Sequence, residues 1–222
     1  MSLDSLVQRV EAQLLPHVHI ESVDPNDPVV VRKVPFPWRA LGMGNYAAVF
    51  WHPEFPDYVI KVYAPGRPGL TEEAEVYRRL GTHPAFSECF YRGSNCLILK
   101  RLEGITLYDC LSLGIRIPKQ VIKDIDQALD YAQSRGLNGH DVHGRNVMMY
   151  EGRGLVVDVS DFLNQEPCSA WDDLKWAYYR FYLPILAPMR LKVPHTVLNM
   201  VRKTYRFFRR LLPYRKCDRK AP

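Results

Sequence analysis

The chain has 222 residues, which is long enough for one large domain or a two-lobed one. Hydrophobic residues make up 47% and charged residues 24%, which excludes a largely disordered chain and leaves the function to be sought in motifs. The net charge is +6, but residues 202–220 hold nine Lys or Arg and one acid, so this tail carries +8 and the remainder −2.

The sequence also argues against two kinds of feature. No run approaches the ~18 consecutive apolar residues of a membrane span, and the charged N-terminus lacks the apolar region of a signal peptide, so a cytoplasmic protein is expected. The five cysteines are scattered and form no C-x-x-C motif, so we expect free thiols rather than disulfides or a zinc site.

The first part of the chain is predicted to be rich in strands. Residues 5–15 place apolar side chains at helical spacing, and a proline-rich, strand-like passage follows; we interpret residues 1–34 as an N-terminal extension. Two β-rich runs then predict a hairpin, LGMGNYAAVFWH and YVIKVYA. A second hairpin is expected to turn at residues 93–95. Together, the two hairpins predict a first, strand-rich lobe over residues 35–99.

A helix is predicted between the two hairpins. Residues 72–80 are strong helix formers, with Thr71 as the expected N-cap and Gly81 just beyond the end.

The second part of the chain is predicted to be rich in helices. LYDCL and residues 118–135 have helical patterns, and Gly136 is expected to end the longer one. Short strand-like runs adjoin two polar loops, and Val156, Val157 and Val159 favour extended structure. The whole pattern predicts an α+β fold, with the second lobe over residues 100–194.

Glycines interrupt the first strand-like run. Gly42, Gly44 and Val49 follow the spacing G-x-G-x-x-G-x-V, with Ala47 in place of the third glycine. Glycine lets the backbone approach a phosphate because no Cβ intervenes, although a glycine in a hairpin commonly marks only a turn or bulge.

A lysine lies in the apolar run that follows. Strand alternation places Lys61 on the face opposite its two apolar neighbours, where it either meets phosphates or faces solvent. A buried lysine requires a counter-ion because an unpaired buried charge is costly. The next helix offers three carboxylates: Glu72, Glu73 and Glu75.

The strongest motif combines two loops. Asp141 and Asn146 lie in D-V-H-G-R-N, and Asp158 follows 12 residues after the asparagine in D-V-S-D-F. A phosphoryl-transfer site needs a carboxylate near the attacking hydroxyl, an amide oxygen on a metal ion and a second carboxylate that bridges metal and phosphates. Both loops adjoin apolar strand-like runs, so two ordinary acidic turns are the weaker interpretation.

Taken in order over roughly residues 38–180, these motifs resemble those of protein kinases, in a compact bacterial form. The resemblance implies a two-lobed fold with a small β-rich N-lobe and a reduced helical C-lobe. It also implies that ATP and Mg²⁺ are bound. The D-x-H-x-x-N form of the catalytic loop is closer to bacterial small-molecule kinases and atypical protein kinases.

The resemblance assigns roles to individual residues. The expected catalytic residues are Asp141, Lys61 and Glu73. The expected nucleotide contacts are Gly42, Gly44, Val49, Lys61, Leu99 as the gatekeeper, and Leu102 in the hinge whose backbone reads adenine. The expected metal ligands are Asn146 and Asp158. Asp173 is expected to anchor the catalytic loop.

Several positions depart from the usual kinase pattern. Gly139 and His140 replace the histidine and arginine before the catalytic aspartate, and His143 stands where a lysine is usual. Ser160 replaces the glycine of D-F-G, and Asp161 competes with Asp158 as the metal ligand; the spacing from Asn146 favours Asp158. The activation segment must be short because only about ten residues separate Phe162 from Asp173.

The C-terminal region, residues 195–222, is predicted to be a basic amphipathic helix and tail. Over residues 197–212, one arc is apolar, and we expect it to pack on the C-lobe while the basic arc faces solvent. The apolar arc comprises Val197, Leu198, Val201, Tyr205, Phe208, Leu211 and Leu212. The alternative is contact with an anionic membrane surface or nucleic acid, which leaves a peripheral membrane location open.

The expected function is transfer of the γ-phosphoryl group of ATP to a hydroxyl, with Ser or Thr of a protein as the first expectation. A small-molecule kinase, acting on a sugar or lipid-like alcohol, is the nearest alternative. A nucleotide-binding pseudokinase scaffold is a third hypothesis, suggested by Ala47, Gly139 and Ser160. A basic adaptor that acts through its tail is a fourth.

Overall fold

The computed structural model describes residues 2–24 and 27–211. The chain divides into two compact units, Met1–Leu102 and Glu103–Pro222. The first is rich in strands and the second in helices. The predicted α+β fold class is therefore confirmed.

The first unit contains a five-stranded antiparallel sheet in the order β3-β4-β5-β7-β6 and a two-stranded sheet, β1-β2. Its elements are α1 (Leu3–Arg9), which continues as a π-helical segment (Val10–Leu14), β1 (His19–Glu21), β2 (Val30–Lys33), β3 (Arg39–Met43), β4 (Ala47–Trp51), β5 (Tyr58–Tyr63), α2 (Leu70–Leu80), β6 (Cys89–Arg92) and β7 (Cys96–Lys100). Both predicted hairpins are present.

One face of the five-stranded sheet packs against the N-terminal helix. Leu6, Val10 and Leu14 are fully buried in the same apolar cluster as Phe50 and Ile60 of the sheet. The residues interpreted above as an extension thus contribute to the core of the first unit. Because strand side chains alternate, the residues between these buried ones face the other side of the sheet.

Helix α2 begins one residue before the expected N-cap. Gly69 is the N-cap, with φ 110°, a left-handed conformation that glycine adopts without strain. The prediction of Thr71 as N-cap is wrong: its hydroxyl lies within the first turn and accepts a hydrogen bond from Arg92 at 2.9 Å. The helix ends at Leu80, with Gly81 following as expected.

The second unit combines a three-stranded sheet, in the order β10-β9-β8, with helices. Its elements are β8 (Ile105–Thr106), α3 (Leu107–Leu113), α4 (Lys119–Ser134), β9 (Val147–Tyr150), β10 (Arg153–Val156), α5 (Ala170–Ala177), a π-helical segment (Tyr178–Leu186), α6 (Ala187–Met189) and α7 (His195–Leu211). Both predicted helices before the loops are present. Strand β10 ends at Val156, so Val157 and Val159 lie in the loop that carries Asp158.

Helix α4 packs directly on β10. A Cβ added to Gly154 would lie 2.4 Å from the carbonyl oxygen of Val121 and 2.9 Å from Ile125 Cγ1. The carboxylate of Asp124, on the same helix, accepts hydrogen bonds from the Gly154 backbone and from Arg153. Burial raises the pKa of Asp124, but hydrogen bonds from Arg153, Gln120 and Gly154 outweigh it and lower this pKa below its usual range.

Helix α7 packs only in part as predicted. Val197 and Val201, from the arc expected to be buried, are 38% and 58% exposed. Leu198 of the same arc is half-buried and Tyr205 is hydrogen-bonded to Asp173, while Asn199, outside the arc, is hydrogen-bonded to Tyr108. The side chains of Phe208 and Leu211, and residue Leu212, lie outside the described part of the chain.

Two smaller expectations can also be compared with the structure. Cys89, Cys96, Cys110 and Cys168 are free thiols, as expected, and Cys217 lies outside the described residues. Among the helices in the described ranges, none combines the length and apolar character needed to traverse a bilayer.

Candidate active site

In the first unit, Lys61 pairs with a buried carboxylate. Its Nζ lies 2.8 Å from Oε1 and 2.7 Å from Oε2 of Glu73, and the two side chains are 13% and 1% exposed. The hydroxyl of Tyr63 donates a hydrogen bond to the same carboxylate. Of the three acids on α2, Glu73 is therefore the counter-ion of this lysine.

The two neighbouring acids have other environments. Glu75 accepts hydrogen bonds from Arg78 and Arg79, which lower its pKa to about 2. Glu72 is exposed. Neither of them is buried as Glu73 is.

Four of the six expected nucleotide contacts share one face of the sheet, whereas Gly44 follows the end of β3 and Leu102 lies beyond the end of β7. The strand register places Gly42 opposite Val49 and Val49 opposite Lys61, in a row across β3, β4 and β5. Paired residues on adjacent strands point to the same side. Val59, two residues before Lys61, is paired with Leu99, so Leu99 also belongs to this side. The opposite side carries the buried core.

The glycines of the first hairpin are not required by the fold. A Cβ added at Gly42 would meet no atom within 4 Å, and at Gly44 it would lie 3.6 Å from the carbonyl oxygen of Ala47. Neither glycine has a positive φ. Ala47, at the third glycine position, has its side chain buried. Neither packing nor backbone conformation thus requires glycine at residues 42 and 44.

In the second unit, Asp141 has an unusual backbone. Its φ of 53° is in the left-handed region, which a non-glycine residue occupies at a cost of about 1–3 kcal/mol. Its backbone N–H donates to Cys168 Sγ at 3.4 Å. The side chain is 46% exposed, and its Oδ2 lies 3.8 Å from His143 Nε2. The strained backbone therefore presents an accessible carboxylate.

Asn146 connects the two loops. The backbone N–H of Val157, adjacent to Asp158, donates to the Asn146 carbonyl oxygen at 3.0 Å. The amide Nδ2 of Asn146 donates to the carbonyl oxygen of Asp141 at 3.1 Å, which leaves its Oδ1 as an acceptor. The carboxylate of Asp158 accepts hydrogen bonds from the N–H and hydroxyl of Ser160.

These donors fit a magnesium ion. Mg²⁺ takes oxygen ligands and is commonly held by one or two carboxylates together with substrate phosphates. The Asp158 carboxylate and the Asn146 amide oxygen are of this kind. In the residues that the structure describes, this site included, no group of three or more His, Cys, Asp or Glu is arranged to hold a metal ion.

The residues that depart from the kinase pattern have structural contacts. Gly139 lies against α4, because an added Cβ would be 2.8 Å from Leu129 Cδ2. His140 Nε2 lies 3.4 Å from the amide Nδ2 of Asn164, in the loop after Asp158. Ser160 binds the carboxylate of Asp158, as described above. Each departure thus leaves the loops held by other contacts.

Sequence reasoning missed two groups of supporting residues. Asn138 donates from Nδ2 to the carbonyl oxygens of Asn164 and Glu166, which joins the two loops a second time. Arg145 stacks over the Tyr108 ring at 4.2 Å, and Asn199 Oδ1 accepts hydrogen bonds from both residues. No periodic pattern signals such contacts, because their members are far apart in the chain.

Asp173, the expected loop anchor, lies in α5. Its Oδ2 accepts hydrogen bonds from the hydroxyls of Ser169 and Tyr205, each at 2.7 Å. Its anchoring role stays a prediction.

Comparison with known proteins places the chain in a family. No protein-family model matches the sequence. The chain is 31% identical over 169 residues to a Bacillus subtilis (strain 168) protein named "Putative serine/threonine-protein kinase YrzF", a match that covers 75% of this chain and 78% of the relative. The Mycobacterium tuberculosis PknI kinase domain, a solved structure, matches with a TM-score of 0.43 and 27% identity, over 55% of this chain and 58% of that one. By its similarity to the B. subtilis protein, the chain belongs to the protein-kinase-like family of phosphotransferases.

Proposed function

We propose that this protein transfers the γ-phosphoryl group of ATP to a Ser or Thr hydroxyl of a protein. The observation that carries the proposal is the arrangement of two loops in the second unit. The Asp141 carboxylate is accessible, and the carbonyl oxygen of Asn146 accepts a hydrogen bond from Val157, the residue before Asp158. The name of the B. subtilis relative supports Ser/Thr as the acceptor.

In this proposal the first unit holds the nucleotide. Lys61, oriented by Glu73, would contact the α- and β-phosphates, and the Gly42 and Gly44 backbone would approach the phosphates closely. Leu99 and Leu102 would flank the adenine, and Val49 would pack against the same ligand. The shared sheet face of Gly42, Val49, Lys61 and Leu99 supports this grouping.

The second unit would carry out the transfer. Asp141 would accept a hydrogen bond from the attacking hydroxyl and orient its oxygen, and His143 would lie beside it. Asn146 and Asp158 would hold Mg²⁺, which neutralises phosphate charge when it is bound. The proposal includes a cytoplasmic location, which the free thiols of the described cysteines support.

A small-molecule kinase is the second candidate. It is favoured by His143 within D-x-H-x-x-N and by the short segment between Phe162 and Asp173, which offers little chain for docking an extended peptide. Both candidates share the nucleotide and metal residues and differ in the acceptor.

Phosphotransfer by the purified full chain tests the proposal. With radiolabelled ATP, Mg²⁺ and a panel of proteins and alcohols, the wild type should label protein Ser or Thr, located by mass spectrometry. Asp141→Asn and Asp158→Asn should each lower the rate by about 10³-fold or more. Asp161→Asn, a matched change in the same loop, should retain most activity.

Three outcomes would contradict parts of this assignment. Label on an alcohol alone would favour the second candidate. Nucleotide binding with no turnover would indicate a pseudokinase. ATP consumption by Asp141→Ala equal to that of the wild type would remove the enzymatic assignment altogether.

A further inference from the structure

The C-terminal part of the chain has a marked charge asymmetry. Residues 174–211, named here the acid-free segment, contain nine Lys or Arg and no Asp or Glu. Since the whole chain has a net charge of +6, the remainder carries −3. This polarity means that an anionic partner would be attracted to one end of the sequence and repelled by the rest.

The first half of the acid-free segment exposes large apolar side chains. From α5 to the end of α6, Trp176, Phe181, Ile185 and Met189 are 61%, 47%, 51% and 64% exposed. The guanidinium of Arg180 lies 5.9 Å from the Phe181 ring centroid, so cation and aromatic ring are side by side. Aromatic and aliphatic groups interleaved with cations are typical of surfaces that contact the headgroup region of a bilayer.

Helix α7 repeats the same combination. Met200, Val201 and Phe207 are 62%, 58% and 61% exposed. The contacts of this helix with the rest of the second unit include hydrogen bonds of Asn199 and Tyr205 and a ring stack of His195 on Tyr108. In the described residues, therefore, α7 is attached through one part of its surface, while Met200, Val201 and Phe207 are more than half exposed.

Charge and apolar exposure together select the partner. A symmetric contact with a second copy of this chain is disfavoured because it would bring two acid-free segments together. A nucleic acid would satisfy the cations but would leave the aliphatic side chains of Ile185, Met189, Met200 and Val201 in water. An anionic bilayer surface satisfies both, since lipid headgroups attract Lys and Arg while the acyl boundary accepts apolar groups.

We propose that the acid-free segment docks on anionic lipid membranes, with Trp176 and Phe207 among the side chains that enter the interface. The docking is peripheral, because it uses side chains exposed at the surface of the second unit. It depends on the surface chemistry of the second unit and is independent of the phosphotransfer proposed above.

Vesicle co-sedimentation of the full chain tests this inference. Wild-type protein should bind vesicles of phosphatidylcholine mixed with phosphatidylglycerol and not vesicles of phosphatidylcholine alone. Met200→Glu combined with Phe207→Glu should weaken binding about tenfold or more, because it removes apolar contact and adds repulsion. Lys203→Glu should weaken binding mainly at low salt, where electrostatic attraction is least screened.

A matched control uses an exposed apolar residue outside the segment. Leu113, in α3 of the same unit, is 53% exposed, and Leu113→Glu should leave vesicle binding within about twofold of the wild type. Tryptophan emission gives a second readout: it should shift to shorter wavelength on vesicle addition, and Trp176→Phe should remove most of that shift.

Several results would overturn the proposal. Absence of binding to the mixed vesicles would do so, as would equal weakening by Leu113→Glu. Unchanged binding of the Met200→Glu, Phe207→Glu protein would refute apolar insertion. Binding to duplex DNA in preference to vesicles would replace the lipid with nucleic acid. A dimer in solution that Met200→Glu dissociates would identify a subunit interface instead.

Discussion

The buried pair of Lys61 and Glu73 offers a quantitative test of how the first unit is built. Glu73→Leu removes the carboxylate that accepts from the Lys61 ammonium and from the Tyr63 hydroxyl. Removing one partner of a buried ion pair costs about 3–5 kcal/mol, because the other charge has already left water. Lys61 is 13% exposed, so we expect the lower end, about 3 kcal/mol.

The matching change, Lys61→Met, should destabilise the protein by a similar amount. It removes the ammonium group from the buried Glu73 carboxylate and leaves the hydrogen bond from Tyr63 in place. The double variant, Lys61→Met with Glu73→Leu, should be within about 1 kcal/mol of the wild type, since apolar residues of similar volume can replace a buried pair. All three variants should be inactive in phosphotransfer. A stable but inactive double variant would mean that the pair serves phosphotransfer rather than stability.

Urea and thermal unfolding measure these free energies. A loss of about 3 kcal/mol corresponds to a fall in Tm of about 6–12 °C for a chain of this size. Glu72→Leu, an exposed change on the same helix, should stay within about 0.5 kcal/mol of the wild type. If the double variant is destabilised by the sum of the single changes, the two residues do not act as a pair and the reasoning fails.

Three further predictions concern the second unit. Asn199→Leu removes the acceptor of Arg145, so it should lower the phosphotransfer kcat and speed backbone hydrogen exchange in residues 139–150. Asn199→Asp keeps an acceptor and should leave kcat and hydrogen exchange as in the wild type. Equal effects of the two changes would exclude this role. Asp124→Asn should destabilise the protein at pH 7 by an amount that shrinks as pH falls below about 4. The pKa of Asp124 is lowered in the folded protein, so its carboxylate contributes stability only while it is ionised. A loss of stability in urea unfolding that does not depend on pH would contradict this. Gly154→Ala should cost about 3 kcal/mol, because the new Cβ would press on helix α4, and a Tm equal to that of the wild type would show that the helix can move.

The sequence identified the candidate site through order and spacing. The row Gly42, Val49 and Lys61 follows from two consecutive hairpins, whose register is set by short turns and by alternation of buried side chains. The loops with Asp141 and Asp158 were recognisable because their chemistry depends on residue type. Resemblance to the kinase register, rather than any local preference, selected Glu73 from three acids on one helix.

Local preferences failed where the backbone or a distant contact decided the outcome. Thr71 is a good N-cap by type, yet α2 begins earlier because Gly69 can adopt a left-handed conformation. Periodicity placed the apolar residues of α7 on one arc but could not tell which side chains of the helix pack. Hydrogen bonds between Asn199 and both Tyr108 and Arg145, and between Tyr205 and Asp173, decide that.

The sequence by itself determined the fold class, the order of the elements and the residue types available for phosphoryl transfer, since these depend on short-range patterns and side-chain chemistry. Tertiary structure decided which carboxylate pairs with Lys61, how Asn146 meets the strand end before Asp158, and which side of α7 stays exposed. Those outcomes depend on contacts between residues far apart in the chain, whose energies no local pattern encodes.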